Sequence, residues 1–425
     1  MSDVAVSATD TEVVRATPAQ RRATYVGVGL VALGGFVFWA FGLNVAGDLD
    51  STFKLSLPTD RVQGLEWTVG TQLLGFVVAG ILAFLGGVLL RRSHLTWTNR
   101  ILAVGFVLFT LAFLAWAAGG KSFSFVGMLR STVVLSVPVT LGALAGLMCE
   151  RVAIINIAIE GQLLTAAFVG TILGSAFGPW VGLVGALISG AVLGWVLAVL
   201  SIKYRVDQII AGVVINIFAL GITSFLASRV LAEVPDLNSP GRFTPWPIPV
   251  LSDIPILGPV FFDHSFFVYG TFILVIVIHL GLFYTRWGLR SRSVGEHPEA
   301  ADTVGIDVYR TRYRNVILGG LIAGFGGAFL TLSQVPRFEE NMTAGIGFIG
   351  LAAMIFGRWM PLGVLGAGLV FGFARGLQAK LGILGAPIPS EFLSMTPYIV
   401  TVIVVAGVVG KARPPAADGQ PYIKD

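Results

Sequence analysis

Long runs of apolar residues, separated by short polar segments, follow one another from residue 25 to residue 410. A helix needs about 20 mostly apolar residues to cross the hydrocarbon core of a bilayer. The runs lie at 25–43, 69–90, 101–119, 132–149, 154–175, 179–201, 208–230, 266–285, 315–334, 344–357, 362–380 and 392–410. Because 344–357 is short, a half-helix or re-entrant segment is an alternative there. The pattern predicts an all-α fold, a polytopic transmembrane bundle of about 10 to 12 spans.

The spacing of these runs also predicts how the chain is organised. Polar tails at 1–24 and 411–425 flank the region of apolar runs at 25–410. Two long connections interrupt this region. The connection 232–265 contains seven prolines and should be stiff and extended, and not helical. The connection 286–314 is rich in arginine.

Composition supports a membrane protein and excludes several other classes. Hydrophobic residues make up 55% of the chain and charged residues 12%, whereas soluble domains carry about 25% charged residues. Glycine pairs four residues apart, such as Gly190/Gly194 and Gly320/Gly324, predict close helix packing. The single cysteine and four scattered histidines predict neither a disulfide nor a metal site. No phosphate-binding loop of the form GxxxxGK[ST] and no nucleophile–base arrangement is found, so no catalytic residue is predicted.

The basic residues predict the orientation of the chain. With the N-terminus inside, the cytoplasmic segments hold 19 lysines and arginines and the opposite loops hold 6. Because basic residues concentrate on the cytoplasmic side, both termini and 286–314 should be cytoplasmic, with 232–265 outside. The net charge of +5 therefore reflects topology, and nucleic acid is not an expected partner.

Several polar side chains interrupt the apolar runs. Asn156, Glu160 and Gln162 lie in or beside one predicted span, and Asn216 lies in another. Polar groups at bilayer depth mark either a pathway or contacts between helices, and both alternatives remain open here. In a helix, Asn156 and Glu160 would share one face. Phe348 could stack on a flat substrate or simply pack.

The connection 286–314 contains a short predicted helix. Pro298 suits the first turn, Glu299 suits the positive end of the helix, and Gly305 is a natural stop. Ala300 and Ala301 between them favour helix, and their small size would allow close approach. Such a helix could enter a groove of a partner protein, with Glu296 and Glu299 meeting basic groups, or lie on lipid headgroups.

Three motifs resemble one transporter family. The sequence VGEHPEAADTVGI at 294–306 resembles the coupling-helix loop of bacterial ABC importer permeases that serve branched-chain amino acids, simple sugars and nucleosides. The run at 150–162 resembles that family's ER-x-G-V-I-N-I-G-I-E-G signature, with Ala153 and Ala158 in place of glycine. The stretch 340–359 looks like the nucleoside branch. The resemblance covers roughly residues 125–410, and it therefore implies a core permease domain at 120–410 that follows an N-terminal transmembrane extension at 25–119.

The resemblance implies a type II-like permease subunit of an ATP-driven importer, with nucleosides as the favoured substrate. It implies an ABC ATPase, a second permease in a heterodimer and an extracytoplasmic solute-binding protein as partners, in the bacterial cytoplasmic (inner) membrane. The ATPase would use the ATP, so no cofactor is expected on this chain. The alternatives are a simple sugar or branched-chain amino acid permease, or a proton-coupled secondary transporter with Glu160 as the proton carrier.

Overall fold

A computed structural model describes residues 17–58, 64–92, 97–385, 389–396, 398–399 and 413–424. The described residues are mostly helical. They form two compact units, one made of the described residues within 17–55 and 64–124 and the other of those within 56–58 and 125–424.

The first unit combines three long helices with a small sheet. Its helices are α1 (Pro18–Val37), α2 (Thr71–Arg91) and α3 (Thr98–Ala118), and its strands are β1 (Asp50–Lys54), β2 (Glu66–Gly70) and β3 (Ser122–Ser124). Strand β1 lies in the middle, antiparallel to β2 and parallel to β3. Helix α1 begins with a capping box, in which the side chains of Thr17 and Gln20 bond each other's backbone N–H groups.

The second unit is larger and is built almost entirely from helices. They are α4 (Phe125–Glu150), α5 (Ile159–Phe177), α6 (Pro179–Ala198), α7 (Gln208–Leu226), α8 (Phe266–Tyr284), α9 (Arg286–Glu296), α10 (Pro298–Thr303), α11 (Val308–Phe329), α12 (Ile346–Phe356), α13 (Pro361–Leu384) and α14 (Ser390–Ser394). A pair of two-residue strands, β4 (Trp246–Pro247) and β5 (Asp263–His264), ties together the proline-rich connection.

Helices α4 and α11 form the centre of the second unit. Both are buried along most of their length, whereas α7 and α8 expose large apolar side chains such as Ile217 and Ile276. Apolar side chains facing outward are what a helix needs when lipid surrounds it.

Ten helices in the described part of the chain are long and apolar enough to cross a membrane. The predicted polytopic helical fold is confirmed. The run at 344–357 forms the 11-residue helix α12, which is too short to span, so the structure agrees with the alternative of a half-helix or re-entrant segment. The run at 392–410 lies largely outside the described residues.

The glycine pairs pack helix against helix, as predicted. A Cβ atom on Gly190 would lie 2.3 Å from the carbonyl oxygen of Gly320, and one on Gly194 would lie 2.9 Å from the carbonyl oxygen of Val316. Helices α6 and α11 therefore touch along their backbones, which any side chain at these glycines would prevent.

The connection 232–265 is largely without regular structure. The prediction of no helix is wrong for two short helical turns, Pro235–Asn238 and Gly258–Phe262. Each has proline in its first turn, where a missing N–H costs no hydrogen bond.

Candidate transport and coupling site

The chain is not helical between α4 and α5. The predicted span at 154–175 is wrong at its start, because α5 begins only at Ile159. Ala153 has a positive φ of 63°, which ends the helical path after Glu150. Asn156 therefore lies in an unwound turn, residues 151–158, and the prediction that it shares a helix face with Glu160 is wrong.

Side chains of α7 satisfy the backbone of this unwound turn. The amide oxygen of Gln208 accepts a hydrogen bond from the backbone N–H of Ile155 (2.6 Å). Asn216 donates to the carbonyl of Ile157 (2.8 Å) and accepts from the N–H of Gly161 (2.8 Å). A buried backbone without helical hydrogen bonds needs such partners because no water reaches it to replace the lost bonds. Asn216 thus holds the turn.

Glu160 joins the start of α5 to the start of α12. Its two carboxylate oxygens accept hydrogen bonds from the backbone N–H groups of Gly345 (2.7 Å) and Gly347 (2.6 Å). These groups lie at the N-terminal end of α12, where N–H groups lack helical partners and a negative charge is stabilised. The carboxylate therefore caps α12.

The remaining predicted pathway residues differ in exposure. The side chains of Asn156 and Gln162 are fully buried and hydrogen-bonded to each other (3.1 Å). The oxygen of Asn156 and the nitrogen of Gln162 have no further partner among the described residues. Phe348, on α12, is 49% exposed. The structure thus gathers all five residues around the first turns of α5 and α12, but only Phe348 presents a large open surface.

Glu150 and Arg151 converge on Trp359, in the turn between α12 and α13. The indole nitrogen of Trp359 donates to the Glu150 carboxylate, and the Arg151 guanidinium donates to the Trp359 carbonyl. Burial lowers the pKa of Arg151, and the nearby Arg292 lowers it further, while Glu296 opposes this. The two neighbours in sequence thus fasten α4 to the turn before α13.

The predicted short helix after Pro298 is present as α10. Glu296, Glu299 and Ala300 are exposed, and Gly305 takes the left-handed conformation (φ 83°) that stops the helix. Ala301, by contrast, is only 3% exposed. It packs inward, so close approach by a partner can involve Ala300 but not Ala301.

Helix α9 precedes α10 and contacts the unwound turn. It was not predicted, because its basic sequence gives no long apolar stripe. A Cβ atom on its Gly295 would lie 2.5 Å from the carbonyl oxygen of Arg151. The backbones of α9 and the turn are therefore in direct contact.

Sequence reasoning missed three further parts of this site. They are Gln208 and Trp359, described above, and residues 413–424, here called the C-terminal strap, which packs on α9 and α10. Gln208 is the first residue of α7, directly after its N-cap Asp207. A polar residue at the end of a spanning helix is ordinary, so the sequence gives no sign of its bond to the turn. Neither Trp359 nor the strap carries a local signal, since their partners are far away in sequence.

The ten long apolar helices define a multi-pass membrane protein. Residues 128–406 match the family model described as the permease component of the branched-chain amino acid transport system. The chain belongs to this family of ABC importer permeases, and the predicted family membership is confirmed.

Individual relatives agree with this assignment. The chain is 41% identical to the guanosine ABC transporter permease protein NupQ of Bacillus subtilis (strain 168), over 69% of this chain and 95% of the relative. It is 37% identical to the nucleoside ABC transporter permease protein NupC of Lactococcus lactis subsp. cremoris (strain MG1363), over 70% and 96%. NupP, a second guanosine permease of the same Bacillus strain, is 27% identical over 63% and 77%. No solved structure matches the chain.

Proposed function

We propose that this chain is a non-catalytic permease subunit that imports nucleosides across the bacterial cytoplasmic membrane, driven by ATP hydrolysis on a partner ATPase. A solute-binding protein would deliver the substrate from outside. The names of two relatives at 37–41% identity support the substrate class. Because two distinct guanosine permeases of one Bacillus strain both match, the second permease is proposed to be a different chain.

The observation that carries this proposal is a continuous set of contacts from α10 to α12. Helix α9, one residue before α10, touches the unwound turn through Gly295. The turn leads into Glu160, whose carboxylate holds the start of α12. A shift of α10 by an ATPase would therefore reach α12 and Phe348 through packed backbone. The positions of α10 and α12 before and after this shift would correspond to the inward- and outward-facing states, each favoured by a different ligand.

The structure gives an argument against the proton-driven alternative. A proton carrier must release and bind its proton during each cycle. Both Glu160 oxygens already accept N–H bonds at 2.6–2.7 Å, so both are occupied in holding the start of α12. This supports Glu160 as a cap.

Uptake by reconstituted vesicles tests the function. Proteoliposomes with the permease pair and ATPase, supplied with binding protein outside, should accumulate labelled guanosine only when ATP is inside. Unlabelled nucleosides should compete, whereas glucose and leucine should not. A protonophore at constant ATP should leave uptake unchanged, in the wild type and in Glu160→Gln. Uptake that needs a proton gradient but no ATP would reject the proposal.

A substitution on α10 tests where the ATPase binds. Ala300 is exposed, so Ala300→Arg should leave the permease folded but add bulk at the contact. By analogy with overpacked cores, the added bulk should weaken binding of the ATPase to the permease by about 1–3 kcal/mol, or roughly 5- to 150-fold. Co-purification of the ATPase measures it. Ala232→Arg, an exposed alanine in the connection 232–265, is the control. Unchanged ATPase binding by Ala300→Arg would place the contact elsewhere.

A further inference from the structure

The C-terminal strap is packed on the second unit although it contains no helix or strand. Ala417 is 5% exposed and Tyr422 is 6% exposed. A tail that merely followed the last span would be solvated and would bury neither side chain. Its contacts therefore define a specific position.

Backbone and side-chain bonds attach the strap to α9 and α10. The N–H of Ala417 donates to the carbonyl of Gly295 (3.0 Å), and the N–H of Ala416 donates to the Glu296 carboxylate (3.2 Å). At the far end of the strap, the Lys424 ammonium donates to the Asp302 carboxylate (3.0 Å). The strap is therefore bonded to the chain just before α10, at Gly295 and Glu296, and near the end of α10, at Asp302.

Tyr422 fills the space between these two attachments. Its ring packs on Tyr309 of α11 (5.4 Å between ring centroids), and it belongs to the same buried cluster as Val294 and Ala301. Its hydroxyl also bonds the Asp302 carboxylate. Ala301 is the buried residue of α10, so the strap supplies part of the surface on which α10 rests.

The middle of the strap reaches the unwound turn and the helices beside it. Arg312 of α11 donates to the carbonyl of Gln420 (3.3 Å), and the Asp418 and Glu150 carboxyl groups are hydrogen-bonded to each other. A Cβ atom on Gly419 would lie 2.9 Å from the side chain of Ile155. The 12-residue strap thus contacts α10 near its C-terminal end and the unwound turn in its middle.

We propose that the C-terminal strap fixes the position of α10 and so forms part of the surface that binds the ATPase. Helix α10 has six residues, and a helix this short has little stability of its own in water. Its position must come from contacts outside it, and the strap provides contacts at both ends. The proposal rests on the proposed function, because it concerns how the ATPase acts on this permease.

The test combines charge reversal with truncation in the full permease pair. Lys424→Glu and Asp302→Arg each break the ion pair, and the double variant restores it with reversed charges. Arg413→Glu makes the same charge change at an exposed strap residue that has no ion pair in the described part of the chain. Termination after residue 412 removes the strap. Hydrogen exchange of the peptide covering 298–304, in nanodiscs, reports the order of α10 without requiring transport.

Each single reversal should speed exchange in this peptide about two- to fivefold, the range for loss of one exposed ion pair. The double variant should exchange more slowly than Asp302→Arg, because it restores the ion pair although not the Tyr422 hydroxyl bond to residue 302, and Arg413→Glu should exchange at the wild-type rate. Truncation should speed exchange about tenfold or more and reduce ATP-driven uptake similarly. Because the reversals act at the surface, they test the proposal even if the truncated chain does not fold.

Two results separate this proposal from the proposed function. If wild-type uptake needs ATP but neither truncation nor charge reversal changes exchange at α10 or uptake, the role of the strap is wrong and the importer stands. If uptake by the wild type needs no ATP, the proposed function fails, and faster exchange in the variants then shows a packing role only. Exchange in the double variant that is as fast as in Asp302→Arg would also reject the Lys424–Asp302 contact.

Discussion

At the scale of single residues, the unwound turn after α4 depends on a strained backbone position. Ala153 has φ 63°, where the Cβ atom of an L-residue crowds the carbonyl oxygen at a cost of about 1–2 kcal/mol. Ala158, five residues later, has φ −72°, an ordinary value. The family signature has glycine at both places, but the geometry explains that preference only at 153.

Replacing Ala153 with glycine should therefore stabilise the protein. We expect Ala153→Gly to gain up to about 1 kcal/mol, because glycine adopts positive φ without steric cost and this relief exceeds the loss of the buried Ala153 methyl group. Ala158→Gly is the matched control, and it should be neutral or destabilising, since it removes a buried methyl group and relieves no strain. Thermal unfolding of the two variants in detergent measures the difference. A lower midpoint for Ala153→Gly than for the wild type would contradict the prediction.

At the scale of elements, α6 and α11 are held together by backbone contact at glycine. Gly190→Ala would place a Cβ atom 2.3 Å from the Gly320 carbonyl oxygen, so the helices must separate. We expect a loss of about 1–3 kcal/mol, the usual cost of overpacking. Gly366→Ala on α13 is the control, because a Cβ atom there has open space and alanine favours helix. Equal midpoints of thermal unfolding for both variants would be inconsistent with this contact.

The C-terminal strap should respond to pH through Asp418. Burial raises the pKa of this carboxyl group to about 6 from 3.8, although Glu150 of α4, the Gly419 backbone and Arg312 of α11 oppose the shift. A raised pKa means that the protonated form favours the packed strap. This contribution is complete below pH 4 or so and is lost as the pH rises through about 6.

Asp418→Asn mimics the protonated carboxyl group and should keep the strap packed at all these pH values. A spin label at Ile423, which is exposed, should be less mobile at pH 5 than at pH 7.5 in the wild type. In Asp418→Asn its mobility should be low at both pH values. A wild-type label that responds to pH no more than the variant would rule out Asp418 as the titrating group.

At the scale of the whole molecule, the contacts of the strap constrain the topology. Because the strap packs on α9 and α10, the C-terminal tail and the connection 286–314 lie on one side of the second unit. The connection 232–265 is separated from them by α8, whose 19 residues give a length of about 28 Å, enough to cross a bilayer. The basic residues favour the cytoplasm for the tail and 286–314.

Cysteine labelling tests this orientation. In a Cys149→Ala background, an impermeant maleimide should label Ser239→Cys in intact cells but label Ala300→Cys only after lysis. Both positions are exposed, so each serves as the reactivity control for the other. Labelling of Ala300→Cys from outside would invert the assigned orientation.

The sequence by itself determined most of the long apolar helices, the backbone contacts at glycine and the short helix α10. Each depends on residues close together in the chain: an apolar run long enough to span, small residues one turn apart, or a proline and a glycine at the two ends of a helix. Such local patterns are present before the chain folds, so they can be read directly.

Only the tertiary structure decided how the polar residues are used. Arg151 bonds Trp359, 208 residues away, and Glu160 bonds Gly347, 187 residues away. These partners meet only after packing, which also makes the break after α4 possible by supplying Gln208 and Asn216 to its backbone. For the same reason, local sequence patterns could not show that Ala301 is buried or where the strap packs, because both depend on residues far away in the chain.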